Sequence, residues 1–310
     1  MYLKPATGPV GRRKRRRKRS PGRKGGLLQC AIGDALKTLL SFILLAACPL
    51  PADGQATRIQ LKLLPQETIQ QRLETVTPET GERRARLQAL FEDVGCRDER
   101  LASQKVPGSK FPNLICTMPA DLPGAGVIVA AAHFDQIGGG VGAIDDWGGV
   151  ALLPSFYQGL AVRPRRHTFV FAGFSAEHQG LAGSTEYVHR LSKQEKASIR
   201  AMMNLENLGL SVPQVWAARA NMTLLDAYAS VAKSLSLDIR VSNFNPRMDD
   251  DSHPFLNAGI PVITIHSLTS ETFGFEHSKK DQLNAIDQKN YYDGYRLAAT
   301  FLAYLDSVLD

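Results

Sequence analysis

The 310-residue sequence has few cysteines, no internal repeat and no apolar run long enough to cross a membrane as a helix. The apolar run at 38–47, TLLSFILLAA, has ten residues. As a helix, such a run would span about 15 Å, half of the roughly 30 Å hydrocarbon core of a bilayer. This length argues against a stable transmembrane anchor and fits the apolar part of an export signal.

Positive charge is concentrated in the first 48 residues. The basic stretch 11–24, GRRKRRRKRSPGRK, precedes the apolar run, and this order is typical of an export signal. Residues 1–48 hold 12 of the 37 Lys and Arg but one of the 30 Asp and Glu, which leaves 25 basic against 29 acidic residues beyond them, a net charge of −4. Because the rest of the chain is mildly acidic, we expect no nucleic-acid partner for it.

Two processing sites follow the apolar run. The segment 45–48, Leu-Ala-Ala-Cys, resembles the bacterial lipobox, in which the cysteine is lipidated and becomes the mature N-terminus. The alternative is ordinary cleavage after Ala56. We therefore predict an export signal and linker at 1–56, with a lipoprotein signal ending at Cys48, and one folded domain at 57–310. The expected location is periplasmic or cell-envelope, with membrane attachment through lipidated Cys48, or otherwise secreted.

The predicted folded domain contains two cysteines, Cys96 and Cys116, because Cys30 and Cys48 belong to the leader. In an exported protein, we expect these two to form a disulfide. The bond would close a loop of about 20 residues and stabilise the fold by about 3 kcal/mol in the chain-entropy model. The alternative is a pair of buried free thiols.

Short apolar runs rich in β-branched residues alternate with longer helical patterns beyond residue 57. The predicted strands are 113–118, 126–133, 167–174 and 261–266. The predicted helices are 66–94, 148–160, 180–200, 222–235 and 288–308. This alternation predicts an α/β fold, a three-layer sandwich in which a mainly parallel mixed sheet has helices on both faces. In such folds, ligands bind beyond the carboxyl ends of the strands.

Polar side chains with metal-binding or acid–base chemistry follow the predicted strands. They are His133 and Asp135 after GVIVAAA, Glu177 and His178 after TFVFAGFSA, Glu206 at the end of AMMNLE, and His277 after PVITIH. Each residue alone has an ordinary structural explanation. In His133-Phe-Asp135, however, an imidazole precedes a carboxylate by two residues, as expected when the acid orients a metal-bound histidine.

A second acidic motif, GAIDDWGG, contains Asp145 and Asp146 between small residues. Small residues permit tight turns and leave room for a carboxylate to reach two metal ions. Adjacent acids also suit the start of a helix, and both explanations can hold together. The neighbouring Trp147 is either a wall of a substrate pocket or a core residue.

Six motifs occur in a family-specific order: HFD, GAIDDWGG, AEHQGLAGS, NLE, DSHPFLNAGIPVI and FEHSKKDQL. Together they resemble the zinc exopeptidase family of secreted bacterial leucine aminopeptidases and glutaminyl cyclases, whose fold is shared by the glutamate carboxypeptidase and transferrin receptor ectodomains. The resemblance covers roughly 110–308 and implies a zinc aminopeptidase-like fold.

The resemblance also implies roles for individual residues. His133 matches the first zinc ligand, Asp145 the carboxylate that bridges two zinc ions, and His277 the last ligand, while Glu177 matches the general base. Two positions depart from the family pattern, since His178 replaces a usual Glu and Glu206 a usual Asp; both side chains still bind zinc. The predicted metal ligands are therefore His133, Asp145, His178, Glu206 and His277, and the catalytic residues are Glu177 and Asp135.

The resemblance further implies that Asp146 is a structural acid and that the Asp145–Asp146 peptide bond is cis. Asp281, four residues after His277, is a candidate support for that ligand. His253, in DSHPFLNAGIPVI, is not predicted to bind metal.

These roles predict a zinc-dependent exopeptidase, most simply an aminopeptidase with two zinc ions. It would hydrolyse N-terminal residues from peptides through a metal-activated water and Glu177 as general base. The first alternative is a glutaminyl cyclase-type acyltransferase with one zinc held by Asp145, His178 and His277. The second is a binding module that keeps the fold without catalysis.

Overall fold

The computed structural model describes residues 61–122, 124, 126–243 and 249–310. The predicted export signal, the lipobox at Cys48 and the cleavage site at Ala56 lie outside the described residues. Within those ranges, no helix combines the length and the apolar character needed to cross a bilayer.

Eight strands and nine helices, counted over the described ranges, make up the fold. The strands are β1 Leu101–Gln104, β2 Asn113–Met118, β3 Val127–His133, β4 Thr168–Phe174, β5 Ile199–Leu205, β6 Gln214–Trp216, β7 Arg240–Ser242 and β8 Val262–His266. The helices are α1 Gln66–Leu73, α2 Thr80–Asp93, α3 Gly148–Val150, α4 Leu153–Leu160, α5 Ala182–Arg190, α6 Lys193–Ser198, α7 Met222–Ser234, α8 His253–Asn257 and α9 Gln288–Val308.

The strands form one mixed sheet in the order β1-β2-β4-β3-β5-β8-β6-β7. The four central strands, β4, β3, β5 and β8, are parallel to their neighbours in this group. Towards the two edges, β2 pairs antiparallel to β4, and β6 pairs antiparallel to β8. Because parallel strands end at one edge of the sheet, the loops after β3, β4, β5 and β8 converge there.

The central strands are covered on both faces. Ile128, Ala130 and Ala132 of β3 pack in a core with α2, α4, α7 and α9. Their alternate neighbours Val129 and Ala131 pack in a second core with α5 and α8. Burial on both faces explains why these strands are almost continuously apolar in the sequence. The predicted α/β sandwich with a mainly parallel mixed sheet is confirmed.

Three predicted helices are each divided in the structure, and the predicted helix 148–160 is α3 and α4, separated by residues 151–152. The predicted helix 66–94 is α1 and α2, separated by a segment that contains Thr75, Val76, Thr77 and Pro78. Proline disfavours helical geometry in the residue before it, and β-branched residues add to this. The predicted helix 180–200 ends at Arg190; α6 then begins after Ser192 with a capping box, and β5 begins at residue 199. The three short strands β1, β6 and β7 were not predicted, and the central strand β5 was not among the predicted strand ranges.

The disulfide prediction is confirmed. Cys96, just after α2, is bonded to Cys116 in β2, and both side chains are fully buried. The bond joins the N-terminal helices to the sheet across a sequence separation of 20 residues.

Candidate metal centre

The structure brings all five predicted ligand residues to the edge of the sheet where the parallel strands end. His133 is the last residue of β3, and Glu206 directly follows β5. His178 lies four residues beyond Phe174, where β4 ends, and His277 lies in the loop after β8. Asp145 comes from the turn before α3.

A first group of possible metal-binding atoms contains His133, Asp145 and Glu206. His133 Nε2 lies 3.1 Å from Asp145 Oδ1 and 3.5 Å from Glu206 Oε1. All three residues are buried. The group therefore offers one imidazole nitrogen and two carboxylate oxygens in a site shielded from solvent.

A second group contains Asp145, His178 and His277. Asp145 uses its other oxygen here, since Oδ2 lies 3.2 Å from His178 Nε2 and 3.0 Å from His277 Nε2. The two imidazole nitrogens lie 3.0 Å apart. Asp145 is thus common to both groups, with one carboxylate oxygen facing each.

The donor atoms of both groups fit zinc, which binds imidazole nitrogen and carboxylate oxygen. His133 Nε2 is buried, faces two carboxylates and has no hydrogen-bond partner. Burial alone would lower the pKa of His133, but the neighbouring carboxylates, first Asp135 and then Asp145, raise it well above its usual value. The same carboxylates raise the pKa of His178 to about 10 against the effect of burial. The site therefore attracts positive charge.

Asp135 contacts both buried histidines. Its Oδ2 lies 3.1 Å from His178 Nδ1, and its Oδ1 lies 3.5 Å from His133 Nδ1. It also accepts hydrogen bonds from the backbone N–H groups of Glu177 and His178. Although burial opposes ionisation, the two histidines hold the pKa of Asp135 below its usual value. Asp135 can therefore orient two imidazole rings, where the sequence pattern predicted one.

Glu177 lies beside the ligand groups without an imidazole hydrogen bond of its own. Its Oε2 is 3.6 Å from His178 Nδ1, and its side chain is 14% exposed. Burial raises the pKa of Glu177 to about 9, with His133 opposing and Glu206 adding to the shift. The preceding Ala176 has a left-handed backbone, φ 57°, which turns the chain sharply after β4. A buried carboxyl with a raised pKa is suited to accept a proton.

The turn that carries Asp145 is held by Asp281. The Asp281 carboxylate accepts hydrogen bonds from the N–H groups of Ile144, at 2.7 Å, and Asp145, at 3.2 Å. The Asp145–Asp146 peptide bond is cis, as the resemblance implied. Asp146 accepts a hydrogen bond from Gly149 N–H at the start of α3. The Asp281 side chain therefore supports the Asp145 turn. Its hydrogen bonds are with this turn and not with His277, which the sequence had suggested as its partner.

Glycines allow the loop before Asp145 to pack against the His277 loop. A Cβ at Gly138 would lie 2.5 Å from the carbonyl oxygen of His277, and Gly138 has φ +93°. His277 itself has a left-handed backbone, φ 54°. A side chain at position 138 would therefore clash with the His277 backbone and would also require an unfavourable backbone conformation.

Comparison with known proteins extends the match from the motifs to most of the chain. The model of peptidase family M28 matches residues 113–302. This chain belongs to peptidase family M28. All five candidate ligands lie inside the matched range.

Among relatives of this M28 chain, leupeptin-inactivating enzyme 1 of Streptomyces exfoliatus is 27% identical over 252 residues, which cover 76% of this chain and 54% of the relative. The chain thus spans about half the length of that relative. The LapA aminopeptidase of Legionella pneumophila has the same fold, with a TM-score of 0.69 at 18% identity, covering 79% of this chain and 73% of LapA. A zinc aminopeptidase of Bacillus subtilis, BSAP, matches with a TM-score of 0.57 at 22% identity, covering 62% of this chain and 49% of BSAP.

The M28 match begins at residue 113, so α1 and α2 lie outside it. Arg83 of α2 nevertheless reaches the turn that carries Asp145. It is fully buried and donates hydrogen bonds to the carbonyl oxygens of Val141 and Gly142. Burial lowers the pKa of Arg83 to about 10, and nearby carboxylates, first Asp145, oppose the shift. The sequence pattern did not identify Arg83, because an arginine in a polar helix is ordinarily a surface residue.

A cavity of about 270 Å³ opens beside the ligands of this M28 site. Besides the site residues, it is lined by Trp216, Asp249, Asp250, Phe273 and Glu276. Trp147 is fully buried and donates from Nε1 to the Arg72 carbonyl oxygen, so it belongs to the core. Sequence reasoning missed two aromatic residues of the cavity, Trp216 at the end of the unpredicted strand β6 and Phe273.

Proposed function

We propose that this chain is a zinc-dependent exopeptidase, most specifically an aminopeptidase that removes N-terminal residues from peptides. The observation that carries the proposal is the pair of three-residue ligand groups that share Asp145, with one oxygen facing each group. A carboxylate in this position suits a centre of two zinc ions. His133 and Glu206 would hold one ion, His178 and His277 would hold the other, and Asp145 has one oxygen available to each.

When bound, a two-zinc centre supplies Lewis acidity, which lowers the pKa of water and polarises a carbonyl group. The residues of the protein orient the ligands and transfer the protons. Asp135 holds the His133 and His178 rings in place. The Glu177 carboxylate, buried beside both ligand groups, takes the proton from the attacking water and returns it to the leaving amine. The substrate peptide enters through the cavity lined by Trp216 and Phe273.

The relatives support the same class of reaction. One relative is named leupeptin-inactivating enzyme 1, LapA is named an aminopeptidase, and BSAP is named a zinc aminopeptidase. The two departures from the family pattern keep the number of donors, because His178 replaces one oxygen donor with nitrogen and Glu206 lies within 3.5 Å of His133. We therefore expect both ions to be retained.

The glutaminyl cyclase alternative uses the group Asp145, His178 and His277 alone. It gives no metal-binding role to the buried residues His133 and Glu206, although His133 Nε2 faces Asp145 Oδ1. The binding-module alternative gives no role to Glu177, a carboxyl buried at the cost of its ionised form. Both alternatives therefore leave buried polar groups without a function.

We predict about two zinc ions per chain in protein purified from residue 57 onwards, with release of free amino acids from unblocked peptides. Zinc is measured by atomic absorption after dialysis, and products are measured by mass spectrometry. Peptides with an acetylated N-terminus should not be cleaved, since an aminopeptidase needs the free amine. One zinc with release of ammonia from N-terminal glutamine would favour the cyclase, and metal binding without any product would favour the binding module.

We also propose that the chain is exported and anchored as a lipoprotein through Cys48. The basic and apolar segments of the leader support export, and the Cys96–Cys116 disulfide supports it further, because stable disulfides belong to oxidising compartments. Fractionation of cells expressing the full chain should find the protein in the membrane fraction, and Cys48→Ser should release it. A Cys48→Ser protein that stays in the membrane would contradict lipidation at this residue.

A further inference from the structure

The cavity beside the ligands carries more negative charge than its described surroundings balance. Asp249 and Asp250 share one guanidinium, since Arg219 lies 2.8 Å from Asp249 Oδ1 and 3.7 Å from Asp250 Oδ2. Asp250 is 1% exposed, and its Oδ2 has no hydrogen-bond partner. Asp249 Oδ1 also lies 2.7 Å from His253 Nδ1, so the buried Asp250 is the less compensated carboxylate of the two among the described residues.

Glu276 adds a third carboxylate to this side. It lines the cavity, is only partly exposed, and its side chain has neither an ion pair nor a hydrogen bond with any residue of the described ranges. A partly buried carboxylate without a partner is unfavourable, and a cation supplied by a ligand would stabilise it. The zinc ions proposed above are assigned to other residues of the cavity, among them Asp145 and Glu206, so Glu276 is left to face a cationic group of the ligand.

The remaining walls indicate the shape of that group. Trp216 and Phe273 line the cavity, and the Arg219 guanidinium stacks on the Trp216 ring at 4.3 Å from its centre. Lysine and arginine side chains combine a long apolar stem with a cationic end. Their stems suit the two aromatic walls, and their charges suit the carboxylates. A neutral aliphatic side chain would fill the same space but leave Glu276 without a partner.

We propose that this cavity selects peptides whose N-terminal residue has a basic side chain, with Glu276 as the residue that receives the cation. This inference rests on the aminopeptidase function proposed above and adds its substrate class. Asp249 and Asp250 contribute negative charge beside Arg219, and Glu276 provides the carboxylate that has neither an ion pair nor a hydrogen bond with the described residues.

The test compares 4-nitroanilides of lysine and norleucine, which differ in the terminal ammonium group. We expect kcat/KM of the wild type to be about 10- to 100-fold higher for lysine, because a hydrogen bond to a charged group contributes that much. Glu276→Gln should remove most of this ratio. Both substrates are assayed with the same enzyme sample, so a loss of folded or zinc-loaded protein lowers both rates equally and leaves their ratio unchanged. Arginine and citrulline substrates should give the same result.

The matched control is Glu271→Gln, which removes one charge from the same loop at an exposed position that does not line the cavity. It should keep the lysine-to-norleucine ratio. An equal loss for both substrates in Glu276→Gln would mean that Glu276 acts on the common α-amine or on the fold, and would overturn the inference. A wild type without a preference for lysine would also overturn it while leaving the aminopeptidase proposal intact. If the wild type hydrolyses none of the aminoacyl substrates, both the proposed function and this inference are wrong.

Discussion

Glu177→Gln should bind zinc like the wild type but hydrolyse peptides about 10²- to 10⁴-fold more slowly, the usual contribution of general acid–base catalysis. The amide has nearly the same shape as the carboxylate but cannot take a proton from water. The backbone N–H of residue 177 would keep its hydrogen bond to Asp135, so the turn after β4 should persist. The loss should appear in kcat, measured with an aminoacyl 4-nitroanilide at saturating concentration.

Zinc content separates the two roles open to Glu177. The residue also forms a metal-binding group with His133 and His178, so it could act as a ligand instead. If Glu177→Gln loses zinc together with activity, the ligand role is supported and the general-base role is wrong. The control is Glu67→Gln, a substitution of the same type on the exposed surface of α1, which should change neither kcat nor zinc content.

Arg83→Met should lower the free energy of unfolding by about 3–5 kcal/mol, the range for removing one partner of a buried charged interaction. Arg83 donates hydrogen bonds to four backbone carbonyl oxygens, those of Thr77, Phe134, Val141 and Gly142. Methionine fills similar space but leaves these carbonyl groups without their donor. Urea denaturation of the zinc-loaded and zinc-free proteins measures the change.

The same substitution should also weaken zinc binding, because Val141 and Gly142 lead directly into the turn of Asp145. Competition with a chelator measures this effect. Arg83→Lys should recover part of the stability, since one ammonium keeps the charge but cannot reach all of the carbonyl oxygens. The control is Arg84→Met, whose side chain contacts Pro112 and Ser103 away from the metal centre. Equal chelator sensitivity of Arg83→Met and Arg84→Met would show that Arg83 does not position the Asp145 turn.

Four strands of the sheet and the order of the candidate site residues along the chain could be predicted from the sequence, whereas the interior strand β5 was not among the predicted ranges. The segments 113–118, 126–133, 167–174 and 261–266 correspond to β2, β3, β4 and β8 within one residue at each end. These strands are buried on both faces, so their apolar runs are unbroken and do not depend on which neighbour they pair with. The disulfide was predictable because residues 49–310 contain one pair of cysteines.

Short edge elements were not predictable. β1, β6 and β7 have three or four residues each, too few to display a periodic pattern. Trp216 enters the cavity because β6 pairs antiparallel to β8 and ends beside the site. Trp147 had two equal explanations in the sequence, and the packing of α1 and α2 against it decided for the core.

The sequence by itself determined the fold class, the chemical types of the candidate ligands and their order along the chain, because these follow from periodicity and from residue identity. The tertiary structure decided how the ligands divide into two groups around Asp145, that Asp281 and Arg83 hold its turn, and that Glu276 shares a cavity with Trp216. These relations join residues far apart in the chain. They depend on distances of a few ångströms that loop packing sets and that no local pattern encodes.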